Sequence, residues 1–250
     1  MIVLVIGLPG SGKTALAEQL SKRTNSVHLN GDDVRSELSS DLGFSHEDRL
    51  EQARRMGSMA RILERQGLDV VVDFVCPTNE TRLSFGHADH ILWVDRIDKS
   101  RYEDTNLMWE NPSSYTLRIK HGLSIEDEVH ASISACGMFD WRKPTTLMLG
   151  RYQPWHEGHD ALLQESQKNG GQHVLAVRDT YQTSVKDPFD YEFVKSKILE
   201  SRPEAFVIKM PNITKIVYGR DVGYSIEKIS LDEKTESISA TDKRKEMGII

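Results

Sequence analysis

The chain has 250 residues, of which 38% are hydrophobic and 28% charged, and its formal net charge is −6. That length suits one large or two small domains, each with its own core, and the acidic balance excludes a broadly basic nucleic-acid-binding protein. No stretch approaches the ~18 apolar residues of a membrane helix, so neither nucleic acid nor membrane is expected as a partner. The apolar opening MIVLVIGLPG has no basic leader and runs straight into a glycine-rich segment, which argues against a secretion signal. Two cysteines, Cys76 and Cys136, lack a CxxC partner, so reduced and buried thiols in a cytoplasmic protein are expected.

In chain order, Ile2–Ile6, Val70–Val75 and Ile91–Val94 are short apolar runs rich in β-branched residues, the pattern of strands buried on both faces. Helical patterns occupy Lys13–Arg23 and Ser45–Gln66, the latter with Leu50, Met56, Met59, Ile62 and Leu63 apolar. Alternating strands and helices predict βαβ units and a parallel sheet over residues 1–120. Residues 121–143 lose this rhythm and carry the acidic patch Glu126-Asp127-Glu128, which predicts a linker with a short helix. A second βαβ-like unit is predicted over residues 144–250. It has strands at Thr145–Leu149 and His173–Val177, a helix at Glu157–Lys168, and later strands at Phe206–Lys209 and Ile216–Tyr218.

Between the first strand and the first helix stands Gly7-Leu8-Pro9-Gly10-Ser11-Gly12-Lys13-Thr14, a complete G-x4-G-K-[ST] phosphate loop in the context that motif requires. Gly7, Gly10 and Gly12 let the backbone curl so that several N–H groups face one anion at a helix N-terminus, and Ser11 is a further nucleotide-binding candidate in the loop. Lys13 is expected to reach the β- and γ-phosphates of a nucleotide, and the Thr14 hydroxyl to ligate Mg²⁺. Downstream, Asn30-Gly31-Asp32-Asp33-Val34-Arg35 offers a carboxylate, Asp32, to orient an acceptor hydroxyl, and a guanidinium fork, Arg35, for an anionic substrate. A capped helix start with Asp32 as the cap is the plain alternative.

Asn30 to Arg35, Asp41-Leu42-Gly43-Phe44-Ser45, Glu47-Asp48-Arg49, Arg54-Arg55 and the stretch Gly67 to Pro77 together resemble adenylylsulfate (APS) kinase, over about residues 1–82. That family phosphorylates the ribose 3′-hydroxyl of APS with Mg-ATP. The resemblance implies Asp32 as catalytic aspartate, Arg35 and Arg49 as substrate-binding arginines, and Phe44 as the ring that stacks on the substrate adenine. Three positions depart from the family pattern: Gln52 replaces an asparagine, Cys76-Pro77-Thr78-Asn79 replaces Ser-Pro-aromatic-Arg, and Arg101 to Asn106 replaces the Arg-Asp-x-Lys-Gly-Leu-Tyr lid. APS is the leading acceptor, and these changes leave its identity open. Arg96, Arg101 and Arg118 are candidate lid residues or solvated surface cations, and Asp73, at a strand end, is a metal-side acid or a structural carboxylate.

The second unit carries Gly150-Arg151-Tyr152-Gln153-Pro154-Trp155-His156-Glu157-Gly158-His159, with H-x-G-H just after a strand. Nucleotidyl transfer expels pyrophosphate and needs charge stabilisation and alignment rather than a covalent intermediate. His156 and His159 at a helix start can hydrogen-bond phosphate oxygens there, and Gly158 and Gly150 can admit a ligand close to the backbone. A zinc half-site or a structural histidine pair are the alternatives. Together with Ile238-Ser239-Ala240-Thr241-Asp242-Lys243-Arg244, this segment resembles the cytidylyltransferase and nicotinamide-mononucleotide adenylyltransferase superfamily over roughly residues 145–247. The resemblance implies a Rossmann-like domain in which His156 and His159 bind the triphosphate and Ser239, Thr241 and Arg244 clamp its β- and γ-phosphates. Gly150 and Arg151 would flank the nucleotide, Arg220 in the 217–221 loop would contact it, and Arg178 would face the second substrate. For Arg220 and the Arg178-Asp179 pair, ordinary loop ion pairing is the alternative.

The expected molecule is therefore an α/β protein: a P-loop NTPase-type parallel-sheet kinase domain followed by a Rossmann-like nucleotidyltransferase domain. It uses Mg²⁺, ATP as kinase donor, and ATP or CTP as transferase donor. Its partners are small nucleotides and phosphorylated metabolites, with a homo-oligomer left open. An ATP sulfurylase/APS kinase-like pairing and a non-catalytic nucleotide sensor are the competing readings.

Overall fold

Ile2–Ile6 forms β1, and the alternation of its side chains explains why the whole run is apolar. Val3 and Val5 enter one core cluster with Leu16, Leu20, Val71, Leu92, Ile119, Val129 and Ile133, while Ile2, Leu4 and Ile6 enter another with Ala53, Met56, Val72, Phe85 and Trp93. A strand covered on both faces cannot afford polar positions, so the alternation of an exposed sheet is lost. The computed structural model describes residues 1–168, 170–182, 184–217, 219–220 and 223–249, and the chain divides into two compact units, Met1–Arg142 and Lys143–Ile250.

In the first unit β1 is followed by α1 (Lys13–Thr24), β2 (Val27–Asn30), α2 (Gly31–Glu37), α3 (His46–Arg65), β3 (Val70–Asp73), α4 (Asn79–Phe85), β4 (His90–Val94), α5 (Glu103–Met108), β5 (Leu117–Ile119) and α6 (Ile125–Cys136). The sheet order is β2-β3-β1-β4-β5 and every described pairing is parallel. Helix α3 starts at Ser45, whose side chain accepts from the Asp48 N–H. Its buried face is Gln52, Ala53, Met56, Gly57 and Ala60, whereas Ile62 is 51% exposed, so the expected stripe is rotated. Small residues set that face because a side chain at Gly57 would run into the Phe85 carbonyl oxygen.

The short helix expected in the linker at 121–143 is α6, and the correction is that this segment packs into the first unit. Ser124 caps it by accepting from the Asp127 N–H, and Val129, Ile133 and Cys136 bury against α1 on the Val3/Val5 side of the sheet. The acidic patch that suggested a linker is the helix's first turn, where negative charge favours the positive end of the helix dipole. Met138 joins the same cluster, and Arg23 pairs with Asp140 at 2.8 Å, so the segment belongs to the first unit. Cys136 lies in this cluster and Cys76 in the opposite one, and burial pushes both thiols up to about 12.

The second unit contains β6 (Thr145–Gly150), α7 (Glu157–Gln167), β7 (Gln172–Arg178), α8 (Tyr191–Ser201), β8 (Val207–Met210), α9 (Glu233–Glu236) and α10 (Ala240–Glu246). Its parallel sheet runs β6-β7-β8. Met148, Leu175 and Val177 pack with Leu163 of α7 and Val194 and Ile198 of α8. The strand expected at Ile216–Tyr218 is not formed at Ile216 and Val217, which are exposed, and Tyr218 lies outside the described residues.

Candidate functional site

The turn from β1 into α1 builds the phosphate cradle. Gly10 and Gly12 hold φ of 85° and 88°, left-handed values that a side chain would strain. Ser11 is buried and its Oγ has no hydrogen-bond partner among the described residues, an unusual state that suits a site shaped for a polar ligand. Gly7 is needed for space, because a side chain there would meet the Val94 carbonyl and Ser11 Oγ. Burial lowers the Lys13 pKa below the ordinary lysine value, opposed by the charges of Asp73 and Asp32.

Thr14 donates to Asp73 Oδ2 at 2.7 Å. Asp73, the last residue of β3, also accepts from Asn30 Nδ2 at 3.0 Å and hydrogen-bonds His28 Nε2 at 2.6 Å. Burial alone would raise the Asp73 pKa; hydrogen bonds to His28, Thr14 and Asn30 outweigh it and hold the carboxyl below its usual range. A hydroxyl beside a buried carboxylate is an all-oxygen set suited to a hard cation such as Mg²⁺. Asp73, weighed above between a metal-side acid and a structural group, thus stands at the phosphate loop itself. Asn30, not Asp32, is the cap of α2: its Oδ1 accepts from the Asp32 and Asp33 N–H groups at 2.9 and 3.1 Å, which leaves the Asp32 carboxylate free of the capping role.

On the acceptor side, Phe44 is 66% exposed with the Arg35 and Arg49 guanidinium carbons 4.7 and 5.5 Å from its ring centre. Arg35 donates to the Gly43 carbonyl at 2.6 Å, Arg49 to the Phe44 carbonyl at 3.0 Å, and Arg49 pairs with Asp104 of α5 at 2.7 Å. Burial, then the neighbouring Arg49 charge, lowers the Arg35 pKa. The departures from the family pattern have local roles. Gln52 Nε2 reaches the Gly31 carbonyl at 3.3 Å, and Cys76 takes a left-handed φ of 46° with its carbonyl bound by Arg82 at 2.9 Å.

The three candidate lid arginines separate. Arg101 stacks on its neighbour Tyr102, with 4.8 Å from its guanidinium carbon to the ring centre, and Arg118 sits over Trp93 and pairs with Asp95 at 2.6 Å. Arg96 alone turns to the phosphate loop, donating to the Ser11 carbonyl at 2.9 Å and pairing with Glu128. A cavity of about 530 Å³ lies beside the first turns of α1, lined by Ala15, Gln19, Arg96, Leu123, Ile125 and Glu128. The sequence reading missed Glu128 and residues 121–125 because it treated them as linker; the Ser124 cap followed by Val129, Ile133 and Cys136 was the available signal.

In the second unit His156 caps α7, its Nδ1 accepting from the Gly158 N–H at 3.2 Å. The His156 and His159 rings stack with centres 3.8 Å apart, and Trp155 and Tyr152 flank His159 at 5.3 and 5.0 Å. Burial, reinforced by His156, pushes the His159 pKa down to about 3, so its ring is neutral near pH 7. Its buried Nδ1 has no hydrogen-bond partner among the described residues. Burial also lowers His156.

Several residues named as ligand contacts make protein contacts here. The place a side chain would take at Gly150 is filled by the Tyr152 ring, and at Gly158 the His156 ring stands 3.1 Å from it. Arg244 is buried and donates to the Gln153 carbonyl at 2.6 Å and Thr241 Oγ1 at 3.1 Å, and Ser239 caps α10 through the Asp242 N–H at 3.2 Å. A buried guanidinium needs acceptors, and the Gln153 carbonyl supplies one. These contacts still bring α10 to the histidine turn, where Lys243 pairs with Glu157 at 3.3 Å. Lys243 was missed because the signature singled out Arg244 one position later. Arg151 pairs with Asp187 at 3.1 Å, Arg178 donates to Asn212 at 2.9 Å, and Asp179 pairs with Lys209 at 2.7 Å. Arg220 is exposed, and its neighbours Tyr218 and Asp221 lie outside the described residues. Among those residues, no helix is long and apolar enough to cross a membrane.

Residues 1–90 match the family described as adenylylsulphate kinase. The chain is 42% identical over 81 residues to an adenylyl-sulfate kinase of Oceanobacillus iheyensis, covering 30% of this chain and 41% of that protein. It is 45% identical over 87 residues to one of Klebsiella pneumoniae, covering 33% and 43%. The chain thus spans less than half the length of these curated relatives. A solved structure of the APS kinase of Mycobacterium tuberculosis, in complex with AMPPNP and APS, is similar at 25% identity and a TM-score of 0.49, covering 54% of this chain and 95% of that one.

Proposed function

We propose that residues 1–142 form an ATP-dependent kinase that phosphorylates a hydroxyl of a small nucleotide-like acceptor, with APS the leading acceptor. The observation that carries this reading is the meeting of Lys13, Thr14, Asp73 and Asp32 around one curled phosphate loop. In it, the loop amides and Lys13 hold the β- and γ-phosphates, and Asp32 accepts the proton of the attacking hydroxyl. Thr14 and Asp73 would hold Mg²⁺, which when bound neutralises charge developing on the phosphates. Phe44 stacks on the acceptor's base while Arg35 and Arg49 take its anion, with Asp104 giving up Arg49 as the acceptor enters. Protein mixed with Mg-ATP and APS should yield ADP and 3′-phosphorylated APS. ADP formation with another hydroxyl acceptor but not APS would keep the kinase and discard the acceptor; no ADP with any hydroxyl acceptor would discard both.

For residues 143–250 we infer a nucleotidyltransferase. The support is the stacked, neutral His156–His159 pair at a helix start, with Lys243 beside it and Arg244 one residue on. In this reading the imidazoles hydrogen-bond the triphosphate, and Arg244 exchanges the Gln153 carbonyl for a phosphate oxygen. Pyrophosphate release, screened with ATP and CTP against phosphorylated small acceptors, tests the activity and decides the donor. Silence across the screen would remove this assignment and leave the kinase untouched.

A further inference from the structure

We propose that Arg96 is a positioning residue for the phosphate cradle, locked by Glu128 so that the Ser11–Gly12 peptide turns its N–H toward the bound anion. The inference rests on residues 7–14 being the nucleotide site. Arg96 lies two residues beyond β4, and its Nη1 donates to the Ser11 carbonyl at 2.9 Å. Its other edge grips the Glu128 carboxylate through Nε, at 3.2 Å, and Nη2. Glu128 is 3% exposed, and a carboxylate so buried stays with its cation because an unpaired charge there is strongly unfavourable. Helix α6, which carries Glu128, is itself fixed by Val129 and Ile133 in the core.

Peptide geometry supplies the next step. In a trans peptide the C=O and N–H point in opposite directions, so a cation that holds the Ser11 carbonyl on one side aims the Gly12 N–H to the other. The same charge polarises that peptide and strengthens its N–H as a donor. Gly12 keeps a φ of 88°, and the place a side chain would occupy there is taken by Arg96 Nη1. Arg96 thus acts on phosphate through the backbone, with its own charge balanced by Glu128. Because Arg96 also lines the cavity beside α1, direct contact with a nucleotide's base is the competing role.

Titrating the full chain with inorganic tripolyphosphate and with ATP separates the two roles, since only ATP has a base. Arg96→Ala should weaken both ligands equally, by about tenfold, and Glu128→Gln both by a smaller, about threefold, factor. In ¹⁵N-labelled protein, the downfield movement of the Gly12 amide proton on adding tripolyphosphate should shrink in Arg96→Ala, a signature that a purely structural residue would not change. Should Arg96→Ala fail to fold, Arg96→Lys carries the comparison, because an ammonium cannot span the Ser11 carbonyl and Glu128 as the guanidinium does. Loss of ATP affinity with tripolyphosphate binding unchanged would overturn the proposal in favour of base contact. Unchanged affinity for both, while Lys13→Ala loses both, would overturn it and leave the nucleotide site standing. Wild-type protein that binds neither ligand would remove the site along with it.

Discussion

The cradle of the first unit and the histidine turn of the second are both strand-to-helix corners, yet the strands beneath them are packed to different depths. Around the P-loop, Ser11 Oγ is buried with no partner among the described residues, and the Thr14 hydroxyl and Asp73 carboxylate sit together at its edge. The Thr14 hydroxyl is fixed by that carboxylate, and β1 is buried on both faces beneath the loop. In the second unit, Arg244, Ser239 and Arg151 are committed to a backbone carbonyl, a helix cap and a buried carboxylate. Beneath that corner, β6 leaves Leu147 53% exposed. Each corner thus keeps a buried polar atom without a partner among the described residues, Ser11 Oγ in the first and His159 Nδ1 in the second, and what separates them is how deeply the strand beneath is packed.

The largest effect that would break this contrast is at Lys13. Lys13→Ala should reduce ADP formation about 10³-fold while pyrophosphate release stays within about twofold. Loss of both activities in folded protein would show that the two corners do not work separately. Next comes stability. Leu20→Ala, in the core under the cradle, should cost about 3 kcal/mol in denaturant unfolding, whereas Leu147→Ala on β6 should change it by less than about 0.5 kcal/mol.

His159→Ala should lower pyrophosphate release about 10²-fold with ADP formation retained. The smallest effect is the most specific. The folded-state pKa of His159, about 3, lies below the ordinary value of about 6.5, so the unfolded chain binds the extra proton between those values. The stability of the neutral buried ring is thus present above about pH 6.5 and is lost as pH falls toward 3, by at most about 1.4 kcal/mol per pH unit. Comparing unfolding midpoints at pH 7 and pH 5, His159→Gln should show a shallower acid loss than the parent; an unchanged slope would mean that the ring is not held neutral.

The apolar runs of β1, β3 and β4 were legible because burial on both faces leaves an unbroken signal. A short helix was expected within residues 121–143, but the burial of α6 in the first unit was not, since its first turn is acidic and its buried stripe is narrow. The phosphate loop could be named from its spacing, whereas Asp32 as catalytic aspartate and the arginine pair around Phe44 were named through the family resemblance. The partnership of Arg96 with Glu128 could not be named either way, because the two are 32 residues apart and meet only when α6 folds back. Likewise, the sequence carried Arg244 as a phosphate ligand, but only packing could reveal that the Gln153 carbonyl lies within its reach.

The two cysteines lie in the core clusters on opposite faces of one sheet. An alkylating reagent can reach either only when its own layer opens, so the modification rate of each thiol becomes a clock for local unfolding. Cys136 times the departure of α6 from the sheet and Cys76 the loosening of the α3–α4 side. One mass-spectrometric time course on the native chain can therefore tell which half of the first unit breathes first, without introducing a label.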